Sequence, residues 1–243
     1  MWLSLRQAGG VADGVRHAAE IARMPPCRTA ADAAWSLRYG AAMTVRTLFA
    51  SLLYEGSLDD PALVADLEAS CRALAEDDGA GRRWSKAHGY RGYTSYASLN
   101  DLPQRDPAFA DLKRALDRHV AAFAKECAFD LGGRKLKLDS LWANVLKPGG
   151  AHTAHLHPHS VVSGTVYIAL PEGARGLKLE DPRLPMMMAA PPRLADAPDA
   201  LRTFVEAVPV AGSVFLWESW LRHEVPAGTG KGERISVSFN YRW

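Results

Sequence analysis

The sequence predicts a mainly β fold preceded by helices, an all-β barrel or sandwich with the helices packed on one side. Two observations predict it. Before Gly133 the apolar residues recur at helical spacing, and after it short β-rich runs are separated by turn signals.

The stretch RTLFASLLYEGSL, residues 46–58, has the β-branched and aromatic content of an early strand. DDPALVADLEASCRALAEDD follows as a helix. An acidic cap and a proline near the first turn start it, and Leu63, Val64, Leu67, Cys71 and Leu74 fall on one face. GAGRRWSKAHGYRGYTSYASL is rich in Gly, Tyr and Ser and reads as loop with a short strand. DPAFADLKRALDRHVAAFAKECAFDLG is a second helix, striped by Phe109, Leu112, Leu116, Val120, Phe123 and Cys127. Strands are then expected in KLKLDSLWANVLK, VVSGTVYIAL, GLKLED, TFVEAVPV, GSVFLWES and RISVSFNYRW. The Pro-rich DPRLPMMMAAPPRLADAPDA interrupts them as a long loop, a kind of segment that often carries function. The helical part is thus expected over 59–133 and the β core over 134–243.

Composition narrows the function. The chain has 243 residues, 48% hydrophobic and 23% charged, enough to bury a sizeable core. Its formal net charge of +2 gives no electrostatic case for nucleic acid or a membrane surface, and neither partner is expected. No apolar run approaches a membrane span. Cys27, Cys71 and Cys127 form no C-x-x-C pair, which argues against a disulfide framework and a thiolate zinc site; a reducing cytoplasm is the plainest setting. Residues 1–43, rich in Ala and Arg without a continuous apolar run, read as a weakly ordered extension to a domain spanning 44–243, with Met43 a candidate start.

The chemistry concentrates in GGAHTAHLHPHSVVSG. Four of eight histidines, His152, His155, His157 and His159, lie there. Residues i and i+2 of a strand share a side, so His155 and His157 aim two imidazoles at one point. Pro158 takes His159 out of line, and His152 sits nearer the Pro-Gly-Gly turn. A third metal ligand has to come from a distant strand, and His223 is the remaining histidine of the β-rich half. All-nitrogen ligation suits zinc, iron, copper or nickel. Eleven residues on, Arg234 and Ser236 share one strand face. A guanidinium fork and a hydroxyl suit a carboxylate. That charge in an apolar run needs an anion. It is met either by an internal salt bridge to Asp181 or Glu180, or by a carboxylate ligand bound beside the metal.

This layout resembles the iron(II)- and 2-oxoglutarate-dependent oxygenases, closest to a bacterial and phage branch. The segments that carry it are LWANVLKPGG, HLHPHSVVSGTVYIALPEG, LKLEDPR, PVAGSVFLWESWLRHEV and RISVSFN. It runs from about Thr44 to Trp243 and leaves out residues 1–43. The resemblance implies a double-stranded β-helix, a jelly-roll, cupin-like barrel. It implies Fe(II) as cofactor, 2-oxoglutarate and oxygen as co-substrates, and hydroxylation of a substrate with release of succinate and carbon dioxide. His155, His157 and His223 fall on the metal-ligand and catalytic positions. Arg234 falls on the residue gripping the far carboxylate of 2-oxoglutarate, with Ser236 assisting. Asn144 and Tyr167 lie on strands lining the same mouth, and Asp181 lies near its rim. One departure stands out. The commoner pattern has a carboxylate where this chain has His157, and three neutral ligands leave more positive charge on the metal. Trp142, Trp217 and Trp220 are expected in the core rather than as a cage.

Other readings stay open. A cupin would want Glu four or five residues beyond its second His, where Val161 and Val162 stand, and Asn where Ala227 stands. A non-catalytic sensor could bind metal or 2-oxoglutarate in the same pocket. A hydrolytic zinc site would need a general base, and Glu224 is the sequence neighbour.

Overall fold

Among the described residues, regular structure begins at β1 (Leu53–Ser57), later than the expected strand over 46–58. Residues 44–52 are exposed, and Phe49 takes a left-handed φ of 55°, which no continuous strand accommodates. This computed structural model describes residues 44–243; the extension expected over 1–43 lies outside the described residues. Residues 49–243 form one unit.

Two expected helices form for the expected reasons. In α1 (Pro61–Asp77) the Asp60 carboxylate accepts the Leu63 N–H at 3.0 Å, and Pro61 occupies the first turn. The longest helix repeats the device, with Asp106 accepting from Ala108 at 2.8 Å ahead of Pro107. Between them the expected loop folds instead into α2 (Gly79–Ala87), followed by β2 (Gly92–Thr94). The cause is Asp78. Its carboxylate caps Gly81 at 3.0 Å and accepts the hydroxyls of Tyr93 at 3.0 Å and Ser98 at 2.5 Å. That anchorage outweighs the weak helix propensity of the glycines. A one-turn α3 (Leu102–Arg105) leads into the long helix, α4 (Pro107–Glu126).

Eight strands follow: β3 (Lys137–Leu146), β4 (His152–His155), β5 (Val162–Ala169), β6 (Leu177–Glu180), β7 (Phe204–Ala207), β8 (Ser213–Glu218), β9 (His223–Val225) and β10 (Arg234–Arg242). They build two antiparallel sheets, β1-β8-β5-β10-β3-β2 and β4-β9-β6-β7. This is the expected mainly β fold, and its two-sheet layout is that of a double-stranded β-helix. The Pro/Met-rich insertion is a long loop with two short 3₁₀ turns, Leu184–Met186 and Asp199–Leu201. No helix among the described residues is long and apolar enough to cross a membrane.

The larger sheet is buried on both faces, and period-two alternation separates them. Val162, Val166, Ile168, Ile235, Val237, Phe239 and Tyr241 share the helix-side core with Phe109, Leu112, Leu116 and Phe123. Tyr167, Phe215 and Trp217 point the other way, against Leu177, Leu179 and Val225 of the smaller sheet. On β10 the odd residues thus serve the helix-side core, while Arg234, Ser236, Ser238 and Asn240 alternate with them. Gly164 is required where two layers close. A Cβ there would sit 2.5 Å from Phe239 Cζ and 2.6 Å from Leu216 Cδ2.

Candidate metal centre and co-substrate pocket

His155 ends β4 and His223 begins β9, and the two are cross-strand partners. Their ring centroids lie 4.4 Å apart. His157 is not on the strand, as the i, i+2 spacing suggested; β4 stops at His155 because Pro158 cannot pair. The His157 backbone N–H instead donates to the Ser219 carbonyl at 3.0 Å, which returns its ring to the cluster. Ligand atoms of His155, His157 and His223 all lie within 4.8 Å of one another. His159 stays on the surface in a left-handed turn, φ 69°.

Two of these rings are oriented by main-chain carbonyls. His155 Nδ1 lies 2.7 Å from Thr153 O and His223 Nδ1 lies 2.9 Å from Leu221 O. A carbonyl only accepts, so both Nδ1 atoms carry hydrogen and both Nε2 lone pairs stay free. His157 Nε2 is buried without a hydrogen-bond partner. Burial pulls the His223 imidazole down to about 3 and the His157 imidazole down to about 4, with neighbouring histidines adding to both. At neutral pH they are uncharged, as metal ligation requires. Trp142 stacks on His157 with centroids 6.0 Å apart, and Trp217 lies 4.5 Å from His223. Both are buried, so they belong to the core and wall the cluster at once, whereas Trp220 is exposed.

Arg234 is 7% exposed, and its guanidinium lies 5.4 Å from the Tyr167 ring centroid. The internal salt bridge does not form. Asp181 pairs with Arg183 at 2.7 Å and Glu180 with Arg222 at 3.2 Å. Among the described residues no carboxylate reaches Arg234, and its Nε has no partner. The Tyr167 hydroxyl is likewise buried and unpartnered, and burial pushes it up to about 12 against the pull of Arg234. Ser236 faces Asn144 on one neighbouring strand and Tyr167 on the other. Asn144 Oδ1 accepts from Thr94 at 2.9 Å and Tyr90 at 3.3 Å, and its amide donates to Ser238 at 3.1 Å.

Sequence reasoning missed two residues here. The Tyr90 hydroxyl and His152 Nε2 are 2.7 Å apart, and both side chains are half-buried at the pocket. Burial, then Arg234 and His155, pulls His152 down to about 3. His152 therefore lies between the histidine cluster and the guanidinium. Its place beside the glycine turn gave a hint; Tyr90, fifty-four residues from Asn144, gave none. Glu224, the base a hydrolytic zinc site would need, faces away and is held by Lys178 at 2.7 Å.

Residues 140–240 match the family model described as "Putative 2OG-Fe(II) oxygenase". That segment of the chain is similar to the 2OG-Fe(II) oxygenases. Every site residue named from the sequence lies inside the matched oxygenase segment; Tyr90 lies outside it. Solved structures share the fold. A Pseudomonas putida prolyl-4-hydroxylase aligns at TM-score 0.51 and 18% identity, over 79% of this chain and 92% of that one. AviO1 from Streptomyces viridochromogenes Tue57 aligns at TM-score 0.53 and 14% identity, over 79% and 90%. The epimerase SnoN, solved in complex with Fe3+, alpha ketoglutarate and nogalamycin RO, aligns at TM-score 0.54 and 15% identity, over 79% of each chain. No curated protein matches the chain.

Proposed function

We propose that the protein is an iron(II)- and 2-oxoglutarate-dependent oxygenase that hydroxylates its substrate and releases succinate and carbon dioxide. The observation that carries the reading is the pairing, in one segment similar to the oxygenases, of a three-imidazole cluster with a buried guanidinium that no described carboxylate meets. The donor set fits the metal. Three imidazoles converge, two with their Nε2 lone pairs freed by carbonyl-bound Nδ1–H groups. His155, His157 and His223 would hold iron(II), which supplies oxygen activation coupled to oxidative decarboxylation of 2-oxoglutarate.

The chain's own residues do the positioning. Arg234 and Ser236 take the distal carboxylate of 2-oxoglutarate, where a guanidinium in a dry pocket is worth far more than in water. The unpartnered Tyr167 hydroxyl and the Asn144 amide line the same space. Tyr90, from the helical part, and His152, of β4, close its flank. Trp142 and Trp217 exclude water around the cluster. The protein's setting is the cytoplasm, in keeping with its free Cys71 and Cys127.

Anaerobic titration with iron(II) and 2-oxoglutarate, then admission of oxygen and a succinate assay, tests the reading. Succinate above a metal-free control, lost in His155→Ala, His157→Ala and His223→Ala, is the expected result. Binding of both without succinate would favour a sensor, and no binding of either would overturn the assignment.

A further inference from the structure

The rings that wall the histidine cluster continue outward on one side. The Trp142 indole stacks on the His157 imidazole with centroids 6.0 Å apart. Tyr96 meets Trp142 edge-on at 5.2 Å, and Trp84 meets Tyr96 edge-on at 6.2 Å. These are the separations of packed aromatic rings. His88 stacks on the far side of the row, 4.1 Å from Trp84. Trp142 is buried, whereas Tyr96 is 60% exposed. Two ring contacts therefore lead from His157 to water.

The second tryptophan at the cluster leads nowhere. Trp217 lies 4.5 Å from His223, and among the described residues its ring meets no further aromatic ring. It is buried, and its Nε1–H has no partner. An indole that loses an electron there has neither a neighbouring ring to refill it nor an acceptor for its proton. Core packing accounts for Trp217. It does not account for Tyr96, which leaves most of its ring in water and still sits edge-on to a buried indole. A solvated phenol loses its proton to water as it is oxidised, so it gives up an electron more readily than a buried indole. The row thus falls in the direction of the surface.

We propose that Trp142 and Tyr96 form a one-electron relay that discharges the site when it turns over without substrate. The inference rests on the oxygenase reading above. Such a turnover leaves two oxidising equivalents and one oxygen atom in the site. Trp142 passes one electron inward past His157 and is refilled by Tyr96. The Tyr96 phenol gives its proton to water and becomes a neutral radical at the surface. A small thiol there returns one electron and one proton to it. Two passes restore the site: two thiols are oxidised to one disulfide, and the oxygen atom takes two protons and leaves as water. Trp84 and His88 back the Tyr96 ring and keep it against Trp142.

The test is electron paramagnetic resonance. Protein loaded anaerobically with iron(II) and 2-oxoglutarate, and no other substrate, is mixed with oxygen and frozen at intervals, with succinate measured on the same samples. Wild type should show a tyrosyl radical, narrowed by ring-deuterated tyrosine and erased by dithiothreitol. Tyr96→Phe, at an exposed position, should form succinate as wild type does and lose the radical. Trp142→Phe should lose most of the radical per succinate formed, while Trp217→Phe keeps it. Thermal melts show which variants fold, and Tyr96→Phe carries the test if Trp142→Phe does not. Succinate without a tyrosyl radical, a radical that survives Tyr96→Phe, or one undiminished in folded Trp142→Phe overturns this inference alone. No succinate from wild type overturns it together with the oxygenase reading.

Discussion

Replacing Arg234 with methionine should move two measurements in opposite directions. The guanidinium is 7% exposed, its Nε is unpartnered, and no described carboxylate reaches it. Burial lowers its proton affinity, yet it stays charged at any working pH. Even a paired buried charge is often replaced by apolar residues with a gain of about 1–4 kcal/mol, so an unpaired one should gain at least as readily. For a unit of this size that is a rise in Tm of roughly 2–15 °C in protein without metal or co-substrate. Methionine keeps the length and packs beside the Tyr167 ring. Binding should respond the other way. Removing one partner of a buried charge pair costs about 2–5 kcal/mol, which is roughly 30-fold to several-thousand-fold in the Kd for 2-oxoglutarate. Metal affinity should persist, because Arg234 touches no member of the histidine cluster. The assays are thermal melts of the metal-free protein and anaerobic calorimetry of 2-oxoglutarate into iron(II)-loaded protein. Unchanged 2-oxoglutarate affinity would show that the guanidinium is not the carboxylate clamp. A fall in Tm with affinity lost would show that Arg234 is a structural residue whose removal disrupts the pocket.

Three further outcomes are expected. His223→Ala should abolish metal binding in an equilibrium titration while leaving the circular dichroism spectrum intact. The metal-free protein should lose stability on acidification: His152, His157 and His223 are pulled down to about 3, 4 and 3 from an unfolded value near 6.5. The unfolded chain therefore takes up protons that the native state refuses. Stability is full above about pH 6.5 and falls below it, by up to about 1.4 kcal/mol per pH unit per histidine; equal urea midpoints at pH 7.5 and 5.5 would contradict this. Gly164→Ala should cost about 1–3 kcal/mol by overpacking, since its Cβ would meet Phe239, Leu216 and the Phe215 carbonyl within 2.7 Å; a melt within 1 °C of wild type would contradict that.

What the sequence made legible was what it encodes locally. The α1 and α4 helices follow from Asp–Pro starts and apolar spacing, and six of the strands from β-rich runs between turns. The α2 helix did not show, because its cause is Asp78 bonding Tyr93 and Ser98, contacts made only in the fold. The three-residue β9 and four-residue β4 are too short for any periodicity, although they carry His223 and His155. His155, His157 and His223 could be named because they are scarce residues at telling intervals. Tyr90 could not, since it reaches His152 and Asn144 from outside the segment whose pattern is readable. The i, i+2 argument named the right pair for an incomplete reason: the backbone bond from His157 to Ser219, not strand geometry, brings the second ring in.

The charge count of the pocket has a consequence for binding order. The cluster supplies three neutral ligands and the described residues bring no carboxylate to it, while Arg234 adds one positive charge. A divalent ion would thus raise the pocket to three positive charges, against two where a carboxylate ligand is present. 2-Oxoglutarate carries two negative charges and spans both centres. Its presence should strengthen metal binding, and by linkage the metal should strengthen 2-oxoglutarate binding by the same factor. A coupling of about 1–3 kcal/mol, or 5- to 150-fold, is the ordinary range, and the missing carboxylate places this pocket towards its upper end. Titrating metal with and without saturating 2-oxoglutarate, then 2-oxoglutarate with and without metal, closes the cycle. Equal factors above about tenfold would support the neutral triad as the source of the coupling, and their collapse in Arg234→Met would locate its other half. A factor near one would mean that the two ligands do not share this pocket.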